Sequence, residues 1–482
     1  MLTAFFMVVA LALLAFSVDM GYLMTLRSEL KRSTDAAALA GAGTLVDGGQ
    51  VAEHCALEYF ARNAIGNRDV TGEEDWQDDL PNLLAAQDLE LAVQMGHWDP
   101  AAKVFSQCDV LPSAMRVSAA YRDAPLFFGN FMRAQHSVYE DGQWRTEWVP
   151  IDLAAESIAR YQPRDIVLVL DFSASMNDDS ELRRIYEYGE AQRAIVEANL
   201  LQIYQELGSP VYGNMQFEPQ YISSTDTNYI KAQLGLTYVP YPYPGGSWNE
   251  YIDYVKSYYS TYLQRAGYQK KYGYLTLVNY WLERRPVNHD TPSLWAVSAQ
   301  PVTAVKDATG VFMQYIGEVD TDDRVALVVY NSPTQTAKVE HSLTDNFQMI
   351  GDTVDQRQAG HYDQYTNIGA GIEYARNELL SNGRPGAFKM IVLMTDGQAN
   401  RPSGYAEDYV RQRTQLVADE HWPIVTISLG NAADTSLMQE VADTTGGVHF
   451  NVPGGEAVTN YEAQLLTVFR QIADHRPLVL VK

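Results

Sequence analysis

"DIVLVLDFSASMNDDS", residues 165–180, decides how the chain is read. Its first half is an unbroken apolar run, the pattern of a strand buried on both faces of a parallel sheet. The run ends on Asp171, followed by Ser173 and Ser175, each separated by one residue. Three oxygen-bearing side chains thus stand at a strand end. Two readings are open: a loop that holds a metal ion, or a polar turn that merely stops the strand.

Working outward, the segments 324–331 ("RVALVVYN"), 389–396 ("KMIVLMTD") and 423–430 ("PIVTISLG") have the same form, and 447–452 is a fifth. Helical periodicity fills 302–316, 367–380, 405–419 and 458–474. This alternation predicts a parallel sheet with helices on both sides. In such open sheets ligands collect beyond the carboxyl ends of the strands. Asp171 and Asp396 both fall there, and Thr366, in "YTNIGAGIEYA", sits in a loop able to reach the same edge. The candidate ligands are therefore Asp171, Ser173, Ser175, Thr366 and Asp396. Two carboxylates and three hydroxyls are hard donors that suit Mg²⁺ or Mn²⁺, and Ca²⁺ less well. Because the hydroxyls are neutral, a divalent ion there keeps attraction for a carboxylate from outside.

Between 177 and 299 the rhythm breaks, and more than half of the chain's 31 tyrosines lie here. Residues 183–206 read as one long helix. Ser247 and Glu250 form a capping box, after which Tyr251, Tyr254, Tyr258 and Tyr262 recur at helical spacing. The stripe is either a partner-binding surface or the core of an inserted helical subdomain. Since the insertion leaves the sheet just after Ser175, it is expected beside or over the ion, selecting the partner.

Residues 2–26 carry a single charge, Asp19, and are long enough to span a bilayer. The run lacks the basic start of a signal peptide. Beyond it, "SELKRSTDAAALAGAG" continues as a helix on which Ala36 and Ala40, or Ala38 and Ala42, share a small face. Arg27, Lys31 and Arg32 follow the span, which by the positive-inside rule would keep the body in the cytoplasm. Cys55 and Cys108, read as one disulfide, pull the other way. A single-pass membrane protein with an extracytoplasmic body is the expectation. Residues 51–163 are expected to form a small, mostly-β module after a helix at 52–65. A net charge of −25 argues against nucleic acid as a partner.

The DxSxS motif with a later Thr and Asp resembles the metal-ion-dependent adhesion site of von Willebrand factor type A domains. The resemblance spans 164 to about 473 and implies the five ligands named above. It departs from the family at Ala174, where many members have Gly, and in the insertion after Met176. The N-terminal "VALALLAFSVDMGYLMTLRSELKRSTDAAALAGA" is similar to the leader of TadE/TadG-like proteins of the Flp (Tad) pilus system. Together these imply a doubly wound, mostly parallel α/β sheet of the Rossmann-like type A class, over 164–176 and 300–477. A Tyr-rich helical insertion over 177–299, a membrane helix over 1–50 and the mostly-β module complete the expected architecture. The implied role is non-catalytic: protein binding through a metal in pilus or surface assembly, facing the periplasm or cell surface. One alternative is a cytoplasmic adaptor gripping an ATPase. A metal-dependent hydrolase is the other, and no G-x-S-x-G, H-E-x-x-H or P-loop motif supports it.

Overall fold

The computed structural model describes residues 2–66, 71, 80–100, 102–110, 112–128, 135–140, 143–257, 261–318, 321–331, 334–453 and 458–482. The chain divides into two units, one of Met1–Gln162, Val319–Thr321 and Arg476–Lys482, the other of Pro163–Glu318 and Asp322–His475.

In the first unit the apolar run and the small-residue stretch form one helix, α1 (Leu2–Gly43). Its small face is a packing face. A Cβ at Gly41 would lie 2.9 Å from Ala56 Cβ, so α2 (Gly49–Ala61) approaches α1 closely there, with Ala38, Ala42, Ala52 and Ala56 all buried. After α3 (Leu80–Ala85) come β1 (Leu89–Asp99), β2 (Val104–Gln107), β3 (Ala114–Tyr121), the hairpin β4 (Gln135–Glu140) and β5 (Gln143–Trp148), and β6 (Leu153–Tyr161). An antiparallel sheet runs in the order Leu478–Leu480, β6, β3, β1, β2. Met115, Val117, Ala119 and Tyr121 share a core with Leu26, Leu30 and Phe60. The acidic stretch "VTGEEDWQDDLPN" at 70–82, whose composition reads as a loop, lies mostly outside the described residues.

The expected disulfide is absent: Cys55 and Cys108 are free thiols. Cys108 follows the outermost strand, and its Sγ lies 3.4 Å from the Val110 carbonyl. The alanine face of α2 holds that helix in place without a bridge.

The second unit contains β7 (Arg164–Leu170), the short pair β8 (Gln220–Tyr221) and β9 (Lys271–Tyr272), β10 (Arg324–Val329), β11 (Lys338–Thr344), β12 (Phe388–Thr395), β13 (Ile424–Leu429) and β14 (His449–Val452); the closing Leu478–Leu480 is β15. The main sheet has the order β11-β10-β7-β12-β13-β14, parallel except for the edge strand β11. From β7 the chain goes first to one side, then to the other, so β7 and β12 flank the topological switch point. Every residue of β7 is buried. Ile166, Leu168 and Leu170 face one apolar layer and Val167 and Val169 the other, as strand alternation requires.

The helices are α4 (Arg183–Tyr188), α5 (Arg193–Glu206), α6 (Thr227–Gln233), α7 (Trp248–Lys256), α8 (Thr261–Arg265), α9 (Tyr274–Arg284), α10 (Val302–Glu318), α11 (Phe347–Asp355), α12 (Ile368–Asn382), α13 (Ala406–Ala418), α14 (Thr435–Thr445) and α15 (Val458–Asp474). The layer on the Ile166 side takes residues of α10, α11 and α15, and the opposite layer takes residues of α12, α13 and α14.

The insertion differs from expectation in two ways, and its tyrosine stripe takes one of the two readings left open. The long helix at 183–206 breaks at Gly189, whose φ of 91° is left-handed, separating α4 from α5. The tyrosine stripe is core rather than surface. Tyr251 is fully buried, with its hydroxyl 3.0 Å from both the Gly273 carbonyl and Thr276 Oγ1, and buried Tyr254 donates to Glu283 at 2.6 Å. The extended Ser257 ends α7, so the stripe does not continue on one helix; Tyr258 lies outside the described residues, and half-buried Tyr262 packs on Tyr186. Finally, the apolar residues of the insertion join the Ile166–Leu168–Leu170 layer in one cluster. The insertion is part of that layer and not a separate subdomain. Its two ends meet where the Gln300 N–H donates to Ser180 Oγ at 2.7 Å.

Candidate metal centre

β7 and β12 pair in parallel, with Leu393 opposite Val169, so both end at the same edge of the sheet. Asp171 follows β7 directly and Asp396 follows β12 directly. The loop after β7 then folds onto its own first residue. The Ser173 N–H donates to Asp171 Oδ1 at 2.8 Å, Ser173 Oγ is 3.0 Å from Ser175 Oγ, and the Ser175 hydroxyl donates to Asp396 Oδ1 at 2.9 Å. Asp171 Oδ2 accepts from the Thr395 hydroxyl at 3.0 Å.

Thr366 joins from the third segment. A Cβ at Gly397 would stand 3.5 Å from Ser175 Oγ and 3.9 Å from Thr366 Oγ1, so both hydroxyls border the space that this glycine leaves open. Asn400 fixes the Thr366 loop: its Oδ1 accepts from the Thr366 N–H at 2.9 Å, and its own N–H donates to the Thr366 carbonyl at 3.0 Å. Asn367 caps α12 by accepting from the Ala370 N–H at 3.0 Å. All five residues named from the sequence come together.

Four of the five are buried outright: Asp171, Ser173, Thr366 and Asp396. The groups that reach the two carboxylates are hydroxyls and a backbone N–H. Burial pushes the Asp171 carboxyl up, against the hydrogen bonds from Ser173 and Thr395. Burial, and then the charge of Asp171, push Asp396 well above the usual carboxylate range. Two carboxylates held so close and so dry are costly to ionise together, and a divalent cation between them would offset that cost. Among the described residues no group of three His, Cys, Asp or Glu side chains could hold a metal. A site here depends on the hydroxyls, and the donor set fits a small hard ion.

Above the strand ends lies a cleft of about 630 Å³, lined by Ser175, Thr366, Gly397, Asn400, and by Arg183 and Glu187 from α4. The insertion therefore borders the site, as its exit point after Ser175 required. The sequence did not single out Thr395, Gly397, Asn400 or Tyr330, whose hydroxyl donates to the Met394 carbonyl at 2.6 Å. The first three lie in "TDGQAN", around an aspartate already read as a ligand, so adjacency was the available signal.

The family model for the von Willebrand factor type A domain matches residues 295–464. That for Flp pilus-assembly TadE/G-like proteins matches residues 1–44. The chain joins a TadE/G-like segment to a von Willebrand factor type A domain. The type A match begins at 295, in the last residues of the insertion, and leaves out β7 and its serine loop, yet in the fold β7 is one of the two middle strands of the same sheet. Among solved structures, BatB from Bacteroides thetaiotaomicron is similar at 13% identity, covering 36% of this chain and 90% of that one, with a TM-score of 0.28. A von Willebrand factor type A protein from Catenulispora acidiphila is similar at 10% identity, covering 80% and 49%, with a TM-score of 0.32. The pilus adhesin SpaC from Lactobacillus rhamnosus GG is similar at 13% identity, covering 36% and 28%, with a TM-score of 0.28. No curated protein matches.

Proposed function

We propose that this is a membrane-anchored, non-catalytic binding protein of pilus assembly or adhesion, whose type A domain grips a protein partner through Mg²⁺. The observation that carries the reading is the hydrogen-bonded run Asp171–Ser173–Ser175–Asp396 at the switch point of the sheet. Asp171, Ser173, Ser175, Thr366 and Asp396 would hold the ion, and the ion would supply a positive centre for a partner's carboxylate. The cleft provides the approach, and α4 of the insertion forms part of its wall. The TadE/G-like segment and a helix long and apolar enough to cross a membrane support the anchor. The pilus association of that segment supports a body facing the periplasm or cell surface. The free thiols withdraw the cysteine ground for that orientation.

Calorimetric titration with Mg²⁺ tests the site: binding is expected in the parent and lost in Asp171→Ala/Asp396→Ala. Tight binding surviving the double substitution would refute the assignment. Partner binding is tested by pull-down from envelope extract, where chelator should release the captured protein. Arg27 and Arg32 keep a second reading, a cytoplasm-facing adaptor for an ATPase. An alkaline phosphatase fusion after Lys482 separates the two, since activity of that reporter requires export.

A further inference from the structure

The first unit holds an acid whose surroundings are unlike those of its neighbours. From Phe5 to Met20 the side chains of α1 are largely exposed, among them Phe5, Phe6, Leu11, Leu14 and Phe16. Asp19, the one charged residue of this run, is instead buried, with 3% of its surface exposed. Its carboxylate holds a distant turn. Oδ1 accepts from the Phe127 N–H at 2.7 Å, and both oxygens lie 3.2 Å from the Phe128 N. The Tyr22 ring, one turn further along α1, packs against the Phe127 ring with centroids 4.7 Å apart. At its base the turn is fixed by buried Ala124, whose N–H donates to the Ile151 carbonyl at 2.8 Å.

A turn tied down at Ala124 and again at Phe127 and Phe128 would be expected to fold its apolar side chains inward. Phe127 and Phe128 do the reverse, at 63% and 52% exposed. Single exposed apolar residues need no explanation, but two adjacent phenylalanines fixed beside an exposed apolar helix do. At about 1.5 Å per residue, residues 2–18 extend about 26 Å, close to the hydrocarbon thickness of a bilayer. Asp19 then stands at the edge of that layer, where aromatic side chains concentrate and where a carboxylate must have its bonds satisfied by protein.

We propose that the Phe127–Phe128 turn is a second membrane contact, seated in the lipid interface alongside α1 and aimed there by Asp19. The occupant of this surface is the bilayer itself, because the exposed rings continue the apolar band of the anchor helix. The proposal rests on the reading of α1 as a membrane anchor. A span and an interfacial turn joined by a carboxylate would fix the tilt and rotation of the first unit at the surface, which a single helix leaves free.

The test uses the full chain in vesicles of phosphatidylcholine and phosphatidylglycerol, with Cys55→Ser and Cys108→Ser. Nitroxide labels are placed at Phe127→Cys, Phe128→Cys, Leu14→Cys and the exposed Val211→Cys. Power-saturation measurements compare access to oxygen, which partitions into lipid, with access to a water-soluble nickel chelate. Labels at 127 and 128 are expected to favour oxygen over nickel, between the lipid reference at 14 and the water reference at 211. If they match position 211 while position 14 reads as lipid, the proposal fails and the anchor stands. If position 14 also reads as water, the anchor reading falls and takes the proposal with it. Asp19→Leu should shift the labels at 127 and 128 toward water without moving position 14, and Asp19→Asn, which keeps an acceptor oxygen, should largely restore them. Unchanged depth in Asp19→Leu would overturn the positioning role of the carboxylate.

Discussion

At Gly397 a missing side chain matters more than a present one. Its open space is bordered by two of the proposed ligand hydroxyls at ordinary contact distance. Gly397→Val would put methyl groups there, and Mg²⁺ affinity is expected to fall at least about tenfold, roughly 1.4 kcal/mol. Thermal unfolding should change little, which separates a blocked site from an unfolded one. His361 sets a different residue-scale expectation. Burial first, then the nearby Arg357 guanidinium, lower its pKa from 6.5 to about 4. The folded state therefore prefers the neutral ring, and the unfolded chain binds the extra proton between these values. Stability contributed by the neutral ring is whole above about pH 6.5 and is lost as pH falls toward 4. His361→Gln should flatten that part of the pH profile, as followed by urea unfolding of the second unit. The five candidate ligands were legible because each sits at a strand end or in a loop before a helix, where sequence punctuation is strong. Thr395 was not, because a threonine that closes an apolar strand reads as ordinary β-former.

Elements show where close packing leaves no room. A Cβ at Gly371 on α12 would fall 2.7 Å from Val169 Cγ1 and 2.9 Å from the Tyr330 ring. Gly371→Ala is expected to destabilise the second unit by about 1–3 kcal/mol through overpacking. Arg164 begins β7 fully buried, pairs with Asp323 at 2.7 Å and donates to the carbonyls of Ile472, Ala473 and His475 at the end of α15. Asp323→Ala would strand that guanidinium, with an expected cost of about 3–5 kcal/mol in denaturant titrations. Buried parallel strands were readable as apolar runs. β11 was not, since "KVEHSLT" is an antiparallel edge strand only partly covered by protein. The tyrosine stripe left two meanings open in sequence, because helical spacing alone does not say which side of a helix the rest of the chain covers. The shared core also changes how the insertion can be tested. Removing 177–291 would strip cover from Leu168 and Leu170, so substitution of cleft-lining Arg183 or Glu187 is the cleaner probe of partner choice.

On the scale of the molecule, the two units are interleaved along the chain. The second is completed before the first, because β15 adds to β6 through the register Leu478–Tyr161, Val479–Arg160 and Leu480–Ala159. Removal of 476–482 is expected to raise amide hydrogen exchange at 159–161 while Mg²⁺ titration of the type A domain remains as in the parent. Little of this was visible beforehand: a three-residue strand has no pattern of its own, and its partner lies over three hundred residues away.

That late strand sets an order of events on the ribosome. The sheet of the first unit waits, with one edge of β6 unpaired, until Leu478–Leu480 emerge. Any ribosome that stalls within the type A domain leaves a nascent chain with an open β edge, the kind of surface that quality-control proteases and chaperones engage first.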